Sequence, residues 1–289
     1  DQLGQPAPFH VCELGAGDGR LARDVLNYVN GAFPELSRAI DYVEIDVDRG
    51  DLPEQIQGVV FSNEFFDALP VHRVFFAQGK LREAYVSQNN TGFEEIPGTL
   101  SDPRIATYLR EAFPRLKNDW IYEVNLRMLE VLEQLDQRME MGIVMTIDYG
   151  YTVDEYEAMP RPDGTLVCYH RHQISTNPYE LPGEQDMTCH IHWNMLESKG
   201  RALGWRSQSL ITQRDFLMRN GLAKHLRGEE AAGLPSSDRW EERLGLKRLL
   251  YPGGVSDTLG VLVQEVRCSD LAWTDREEAE KAQPQGNLN

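Results

Sequence analysis

The chain has 289 residues, with 29 Lys and Arg against 46 Asp and Glu, which gives a formal net charge of −17. Hydrophobic residues make up 41% and charged residues 26%, a globular composition with room for one large domain or two small ones. The acidic balance argues against a nucleic-acid binder, which needs a basic face to displace counterions from phosphates, and no run of eighteen apolar residues is present to form a transmembrane helix.

Residues 1–8 form a short polar stub that reads as neither a signal peptide nor a leading helix. Residues 9–14 read as a buried strand running into Gly15-Ala16-Gly17-Asp18-Gly19. Leu21, Ala22, Val25, Leu26 and Val29 follow at helical spacing. Strand, glycine turn and helix open a nucleotide-binding βα unit. Further strands are expected at 40–45 and at 58–62, the second ending at Asn63-Glu64. Residues 69–76 and 80–87 alternate enough for strand or loop, and 89–103 read as a turn-rich loop. Ile121, Val124, Met128, Val131, Leu132, Leu135 and Met139 predict one long helix. A buried strand at 143–147 then ends at Asp148-Tyr149-Gly150-Tyr151.

Residues 152–192 are irregular and rich in Pro, Gly, His and Tyr, an arm folded over the site. Helices are expected at 194–203, 215–222 and 240–249, closing strands at 207–211 and 259–266, and a charged tail at 274–289. Alternating strands and helices give an α/β fold with a parallel sheet and its site at the carboxyl ends of the strands. The expected division is a Rossmann-like cofactor half (1–151), a substrate-covering arm and helix (152–205), closing elements of the same domain (206–268) and a mobile tail (269–289). Cys12, Cys168, Cys189 and Cys268 are widely spread without a C-x-x-C pair and read as reduced thiols of a cytoplasmic-type compartment.

The glycine loop is G-x-G-x-G, which differs from the dinucleotide G-x-G-x-x-G and from the P-loop. Glu13 stands two residues before it. An acid there repels a pyrophosphate and suits an ammonium group. Glu44, at the end of the second strand, can accept both hydroxyls of a ribose. Together these acids describe S-adenosylmethionine better than NAD, with a nicotinamide or flavin enzyme and a ligand-free tight turn as the alternatives. At the next strand end, Asn63 offers amide donors and an acceptor, and Glu64 offers a carboxylate for a cationic or proton-donating nucleophile. Phe65 and Phe66 either stack on a ring or belong to the core, and Asp67 can cap the following turn. Asp148 and Tyr149 put a carboxylate and a phenol beside the same edge.

These residues resemble a known family. Glu13-Leu14-Gly15-Ala16-Gly17-Asp18-Gly19, Ser62-Asn63-Glu64-Phe65-Phe66-Asp67-Ala68-Leu69-Pro70, Ile147-Asp148-Tyr149-Gly150 and Gly183-Glu184-Gln185-Asp186-Met187-Thr188-Cys189-His190 look like the signature blocks of the MidA-type S-adenosylmethionine-dependent methyltransferases, relatives of the mitochondrial complex I assembly arginine methyltransferase. The blocks occur in order from about residue 8 to about residue 265. The resemblance implies a seven-stranded class I methyltransferase sheet. It implies a cofactor lined by Glu13, Gly15, Ala16, Gly17 and Gly19, with Glu44 on its ribose and Asn63 and Glu64 facing its methionine end or the incoming nucleophile. Three departures stand out. The family's helical N-terminal segment does not precede the glycine loop. The span between Glu44 and Gly58 has room for one short helix only, where the family fits a helix and a third strand, so residues are expected to be missing around 47–52. An acid that the family often has near His192 is not there.

Cys168-Tyr169-His170-Arg171-His172 and Cys189-His190-Ile191-His192 place histidines on one face of an extended chain, a pattern that can chelate. Without C-x-x-C or H-x3-H spacing no metal is expected, and His172 and His190 read as hydrogen bonders or a base in the substrate pocket, or as packing. Asp186 and Thr188 would order the same arm. The expected function is methylation of an arginine on a protein partner, with Glu64 and Asp67 or Asp148 holding the guanidinium. The alternatives are a small-molecule O- or N-methyltransferase with His172 or His190 as base, and a non-catalytic assembly factor that keeps the fold. The expected compartment is the cytoplasm, or the mitochondrial matrix in a eukaryote, and a homodimer is compatible with the sequence.

Overall fold

The computed structural model describes residues 3, 5–90, 92–171, 173–222, 245, 249, 251 and 253–268. In chain order the first elements are β1 (Phe9–Leu14), α1 (Arg20–Ala32), α2 (Pro34–Ala39), β2 (Ile40–Ile45) and β3 (Ile56–Asn63). Next come β4 (His72–Ala77), β5 (Lys80–Asn89), β6 (Gly92–Gly98), α3 (Pro103–Ala112), β7 (Trp120–Val124), α4 (Leu126–Arg138) and β8 (Met139–Tyr151). The arm holds α5 (Val153–Ala158), β9 (Val167–His170), β10 (Gln173–Ser175), β11 (Asp186–Thr188) and β12 (Ile191–His192). The chain closes with α6 (Trp193–Ala202), β13 (Arg206–Ser207), β14 (Ile211–Thr212), α7 (Gln213–Arg219), the short α8 (Val255–Thr258) and β15 (Leu259–Val266).

The central sheet runs β13-β15-β8-β3-β1-β2, with β12 added to β8 and β14 to β15. β1 is parallel to β2 and β3, β3 is parallel to β8, and β15 runs antiparallel to β8. The carboxyl ends of β1, β2, β3 and β8 therefore share one edge, which is where an α/β sheet binds ligands. On one face Cys12, Val60 and Val144 stand side by side in register and are buried. The same core takes in Met128, Leu132 and Leu135 from α4 and Leu196 from α6, the apolar stripes of amphipathic helices. On the other face Val59 and Ile143 line a groove of about 990 Å³ with Phe9, Phe33, Leu36 and Ala39.

Two further antiparallel sheets flank the site edge. One has the order β6-β5-β4-β7 and is inserted after β3. The other has the order β10-β9-β11 and is formed by the arm after β8. The segment expected as a loop at 89–103 thus contains β6, paired with β5 from Glu83↔Gly98 to Asn89↔Gly92. The single helix expected from 121 to 139 is three elements. Ile121 and Val124 belong to β7, Met139 opens β8, and Asn125 separates β7 from α4 by accepting the Met128 N–H at 2.8 Å as N-cap. The closing strand expected at 207–211 resolves into β13 and β14, which pair separately with β15. The helix expected at 240–249 and the tail from 269 lie outside the described residues, apart from isolated positions.

Residues 46–55 carry no strand or helix, only a bridge between Asp46 and Arg49. A ten-residue extended segment reaches roughly 33–36 Å. That is enough to return along a six-residue strand (about 20 Å) and step past β1 to β3 (about 10 Å). A direct connection is therefore compatible with the parallel order, without the helix and strand expected from the family.

Candidate functional site

The first part of the site is the glycine loop. Gly15, Gly17 and Gly19 have φ of 76°, 53° and 68°, the left-handed region that glycine enters without a Cβ penalty. A Cβ on Gly19 would stand 2.2 Å from Glu44 Oε1, and one on Gly15 would stand 3.1 Å from the Phe65 ring, whereas one on Gly17 would meet nothing within 4 Å. The loop is therefore walled by Glu44 and Phe65 and free at Gly17. Ala16 is buried within it. Glu13 and Glu44 are register partners on β1 and β2. Glu13 is 6% exposed and accepts the Tyr42 hydroxyl at 2.7 Å. Burial pushes its pKa up, the Tyr42 hydrogen bond opposes this, and Glu44 adds to the rise.

The second part is the turn after β3. Asn63 and Glu64 are exposed, and Asn63 Nδ2 donates to Glu64 Oε1 at 3.2 Å. Glu64 has φ 50°, unusual for a residue with a Cβ, and its N–H bonds Ile147 O at 2.9 Å. The strained backbone lets the chain leave β3 while Glu64 stays at the edge. Asp148 is fully buried and accepts the N–H groups of Phe66 (2.9 Å), Asp67 (3.4 Å) and Tyr149 (2.8 Å), so it holds this turn from below. Burial, and then the charge of Glu64, push Asp67 from 3.8 to about 6, and burial with the neighbouring Asp67 pushes Asp148 well up. As a pair the two carboxyls retain a proton more readily than two isolated carboxylates.

The arm completes the wall. Cys189 N–H bonds Asp67 O at 2.9 Å and His190 N–H bonds Thr165 Oγ1 at 3.1 Å. The His190 ring stacks on Tyr149 at 6.2 Å between centroids and 19° between planes. Burial, with Arg161 adding, pushes His190 down to about 4. Burial, and then Glu64, push the Tyr149 phenol up. Asp186 is exposed on β11 opposite Tyr169, toward the rim of the arm. His172 lies outside the described residues. His192 is buried among Phe113 and Tyr151, with ring centroids at 5.2 and 5.5 Å.

The structure thus brings Glu13, Glu44 and the glycines together at the ends of β1 and β2, with Phe65 against Gly15. It places Asn63, Glu64, Asp67, Asp148, Tyr149 and His190 at the ends of β3 and β8 and on the arm beside them. It also adds residues that motif reading passed over. Asn125 Nδ2 donates to Phe66 O at 2.8 Å, which fixes the acidic turn from α4, and Asn before an apolar helical run is a helix-start signal. Asp46 and Arg49 both bond to Gly17. Their run Asp46-Val47-Asp48-Arg49-Gly50 has turn composition. Cys12, Cys168, Cys189 and Cys268 are free thiols. No helix among the described residues is long and apolar enough to cross a membrane.

A family model of S-adenosyl-L-methionine-dependent methyltransferases matches residues 1–50 and 48–211, in two pieces that meet within the turn after β2. A Drosophila melanogaster protein, the protein arginine methyltransferase NDUFAF7 homolog, mitochondrial, is 24% identical over 265 residues, covering 74% of this chain. The chain spans 59% of that relative's length. A Burkholderia thailandensis crystal structure with S-adenosyl-homocysteine bound superposes with a TM-score of 0.75 at 22% identity, over 96% of this chain and 78% of the other. A native crystal structure from the same organism gives 0.71 at 22% identity, over 96% and 80%. These two share the fold. On the family match, which covers well over half its residues, the chain belongs to the S-adenosyl-L-methionine-dependent methyltransferase family.

Proposed function

We propose that the protein methylates an arginine side chain of a protein partner. The observation that carries this reading is Glu64, an exposed carboxylate held at the edge by a left-handed backbone, one residue from the Phe65 ring that abuts Gly15. The cradle fits the cofactor. Three left-handed glycines leave free space at Gly17, a buried acid stands before them, and a carboxylate covers Gly19. Glu13, Gly15, Ala16, Gly17, Gly19, Glu44 and Asn63 would hold S-adenosylmethionine, which supplies an electrophilic methyl group on a sulfonium.

The chain's own groups account for the acceptor side. A guanidinium is a cation and a poor nucleophile. A carboxylate that binds it bidentately localises its charge away from the reacting nitrogen. Glu64 is the group for this, and Tyr149 and the stacked His190 form a flat wall beside it. Asp148 holds the turn that presents Glu64. Asp67, raised to about 6 and mostly ionised at neutral pH, is the base for the proton that the guanidinium nitrogen loses as its bond to the methyl forms and the sulfonium bond breaks. Asp186 and His172 belong to the arm that would meet the rest of the partner. The net charge of −17 favours encounter with a cationic target. The Drosophila relative, a mitochondrial protein arginine methyltransferase homolog, supports the same acceptor and a mitochondrial setting, and an aqueous compartment, cytoplasm or matrix, is the one proposed. A small-molecule methyltransferase using His190 as base is less well supported, because burial makes that imidazole a weak base.

The test pairs binding with turnover. Wild type and Glu64→Gln are titrated with S-adenosylhomocysteine, then incubated with S-adenosylmethionine and an arginine-rich peptide set, and methylarginine is read by mass spectrometry. The expected result is equal cofactor binding, with methylarginine formed by wild type alone. Full activity of the variant removes Glu64 from the mechanism, and methylation of lysine or small amines in place of arginine overturns the acceptor.

A further inference from the structure

The glycine loop is tied to the end of β2 and the turn that follows it by four hydrogen bonds. Gly15 and Ala16 donate to Ile45 O at 2.8 and 3.2 Å, Gly17 N–H donates to Asp46 Oδ2 at 2.7 Å, and Arg49 Nη2 donates to Gly17 O. The N–H and the C=O of Gly17 are thus both held by side chains of one turn. That turn is closed by Asp46 N–H to Arg49 O (2.7 Å) and Arg49 N–H to Asp46 O (3.2 Å). The second Asp46 oxygen accepts Val47 N–H at 2.7 Å, and the two amide bonds hold its carboxyl below the usual range. Gly50, at φ 72°, lets the turn press on β2, since a Cβ there would stand 2.0 Å from Glu44 O. The Glu44 carboxylate in turn covers Gly19. The Arg49 cation favours the ionised form of Glu13, against the effect of Glu44.

We propose that Asp46 and Arg49 are positioning residues of the cofactor site. They fix the Gly17 peptide relative to Glu44, so that the methionine and ribose ends of the cofactor meet a loop already in place. A run of three left-handed glycines is the costliest kind of segment to order. Anchoring it on folding removes that cost from the binding step. Neither residue is needed at the reacting methyl. The proposal rests on the cofactor assignment made above and deepens it.

The test is calorimetric titration of S-adenosylhomocysteine into wild type, Asp46→Ala, Arg49→Ala and Arg49→Lys, with thermal unfolding of each ligand-free protein. Loss of one charge-assisted hydrogen bond predicts a Kd about tenfold or more higher for the two alanine variants. Arg49→Lys keeps a cation and a donor and is expected to recover to within about threefold of wild type. A merely structural role would lower the ligand-free Tm and leave Kd unchanged. Folded alanine variants that bind as wild type does, or more tightly, overturn the proposal, the second outcome making the turn a plug that the cofactor displaces. Should Asp46→Ala not fold, the Arg49→Ala and Arg49→Lys pair decides the matter. A wild type that does not bind overturns the cofactor assignment as well, which separates that failure from wild type and variants binding alike.

Discussion

Replacing Asp67 by Asn removes one of two buried carboxyls behind the end of β3 and keeps the side chain's shape. Burial and Glu64 raise the Asp67 pKa from 3.8 to about 6, so the folded state holds this proton more tightly than the unfolded chain does. For such a group the associated stability is fully present below the unfolded value and is lost as pH rises through the folded value. At about 1.4 kcal/mol per tenfold change in proton affinity, the folded wild type loses about 3 kcal/mol across that window. Asn has no proton to lose. The stability of Asp67→Asn relative to wild type should therefore rise by about 2–3 kcal/mol between pH 4 and pH 7 and level off above. Asp148, relieved of a like charge, shifts downward in the variant and adds with the same sign. Urea unfolding of both proteins at each pH gives the difference directly, because distant titrating groups cancel. A difference that stays flat from pH 4 to pH 7, or that falls, refutes the raised carboxyl and with it the paired-acid reading.

Gly19→Ala would place a Cβ 2.2 Å from Glu44 Oε1 at φ 68°. It should weaken S-adenosylhomocysteine binding at least about tenfold, and an undiminished thermal shift with that ligand would contradict the placement of Glu44. Asn125→Ala loses both the Met128 cap and the bond to Phe66 O, which should cost about 2–3 kcal/mol in urea unfolding. His192 has the opposite pH sign to Asp67. Burial lowers it from 6.5 to about 4, so its contribution is present above pH 6.5 and is lost as pH falls through 4. His192→Phe should flatten the acid limb of the unfolding free energy against pH, read by urea unfolding, by about 3 kcal/mol, and an unchanged limb would show that His192 is not the group titrating there.

The residues that made the fold legible are those whose backbone role and side-chain chemistry agree. Gly15, Gly17 and Gly19 mark a turn that only glycine enters easily, and a helix of correct apolar period follows them. Glu13 and Glu44 stand one residue from the ends of their strands and prove to be register partners. Segment 121–139 misled because β7 and α4 are both apolar and adjoin without a glycine or proline. Periodicity joined them, and one Asn was the break. β6 was hidden by Gly92, Pro97 and Gly98, residues that read as turn but are tolerated on an edge strand. Asp148 read as a site acid, yet its hydrogen bonds are to three backbone amides. A sequence gives the residue at a strand end but not whether its carboxylate faces the cleft or the turn beneath it. Asp46 and Arg49 escaped for the same reason, since their role exists only through contact with Gly17.

Sheet order explains why the stretch from Ser62 to Pro70 carries so much of the chemistry. β3 lies between β1 and β8. The loops after β1 and β8 are thus two strand spacings apart, about 10 Å, too far for their short side chains to touch. Only the loop after β3 can contact both, and it does. Phe65 packs on Gly15 of the loop after β1, and Phe66 and Asp67 donate to Asp148 near the end of β8. Between those contacts stands Glu64, the one acid of this loop on the exposed side. A substituent that moves Phe65 must therefore disturb cofactor binding and acceptor geometry together. Phe65→Ala should raise the S-adenosylhomocysteine Kd and alter the pH dependence set by Asp67 in the same variant, and an effect on one without the other would mean that the two halves of the edge are not joined through this ring.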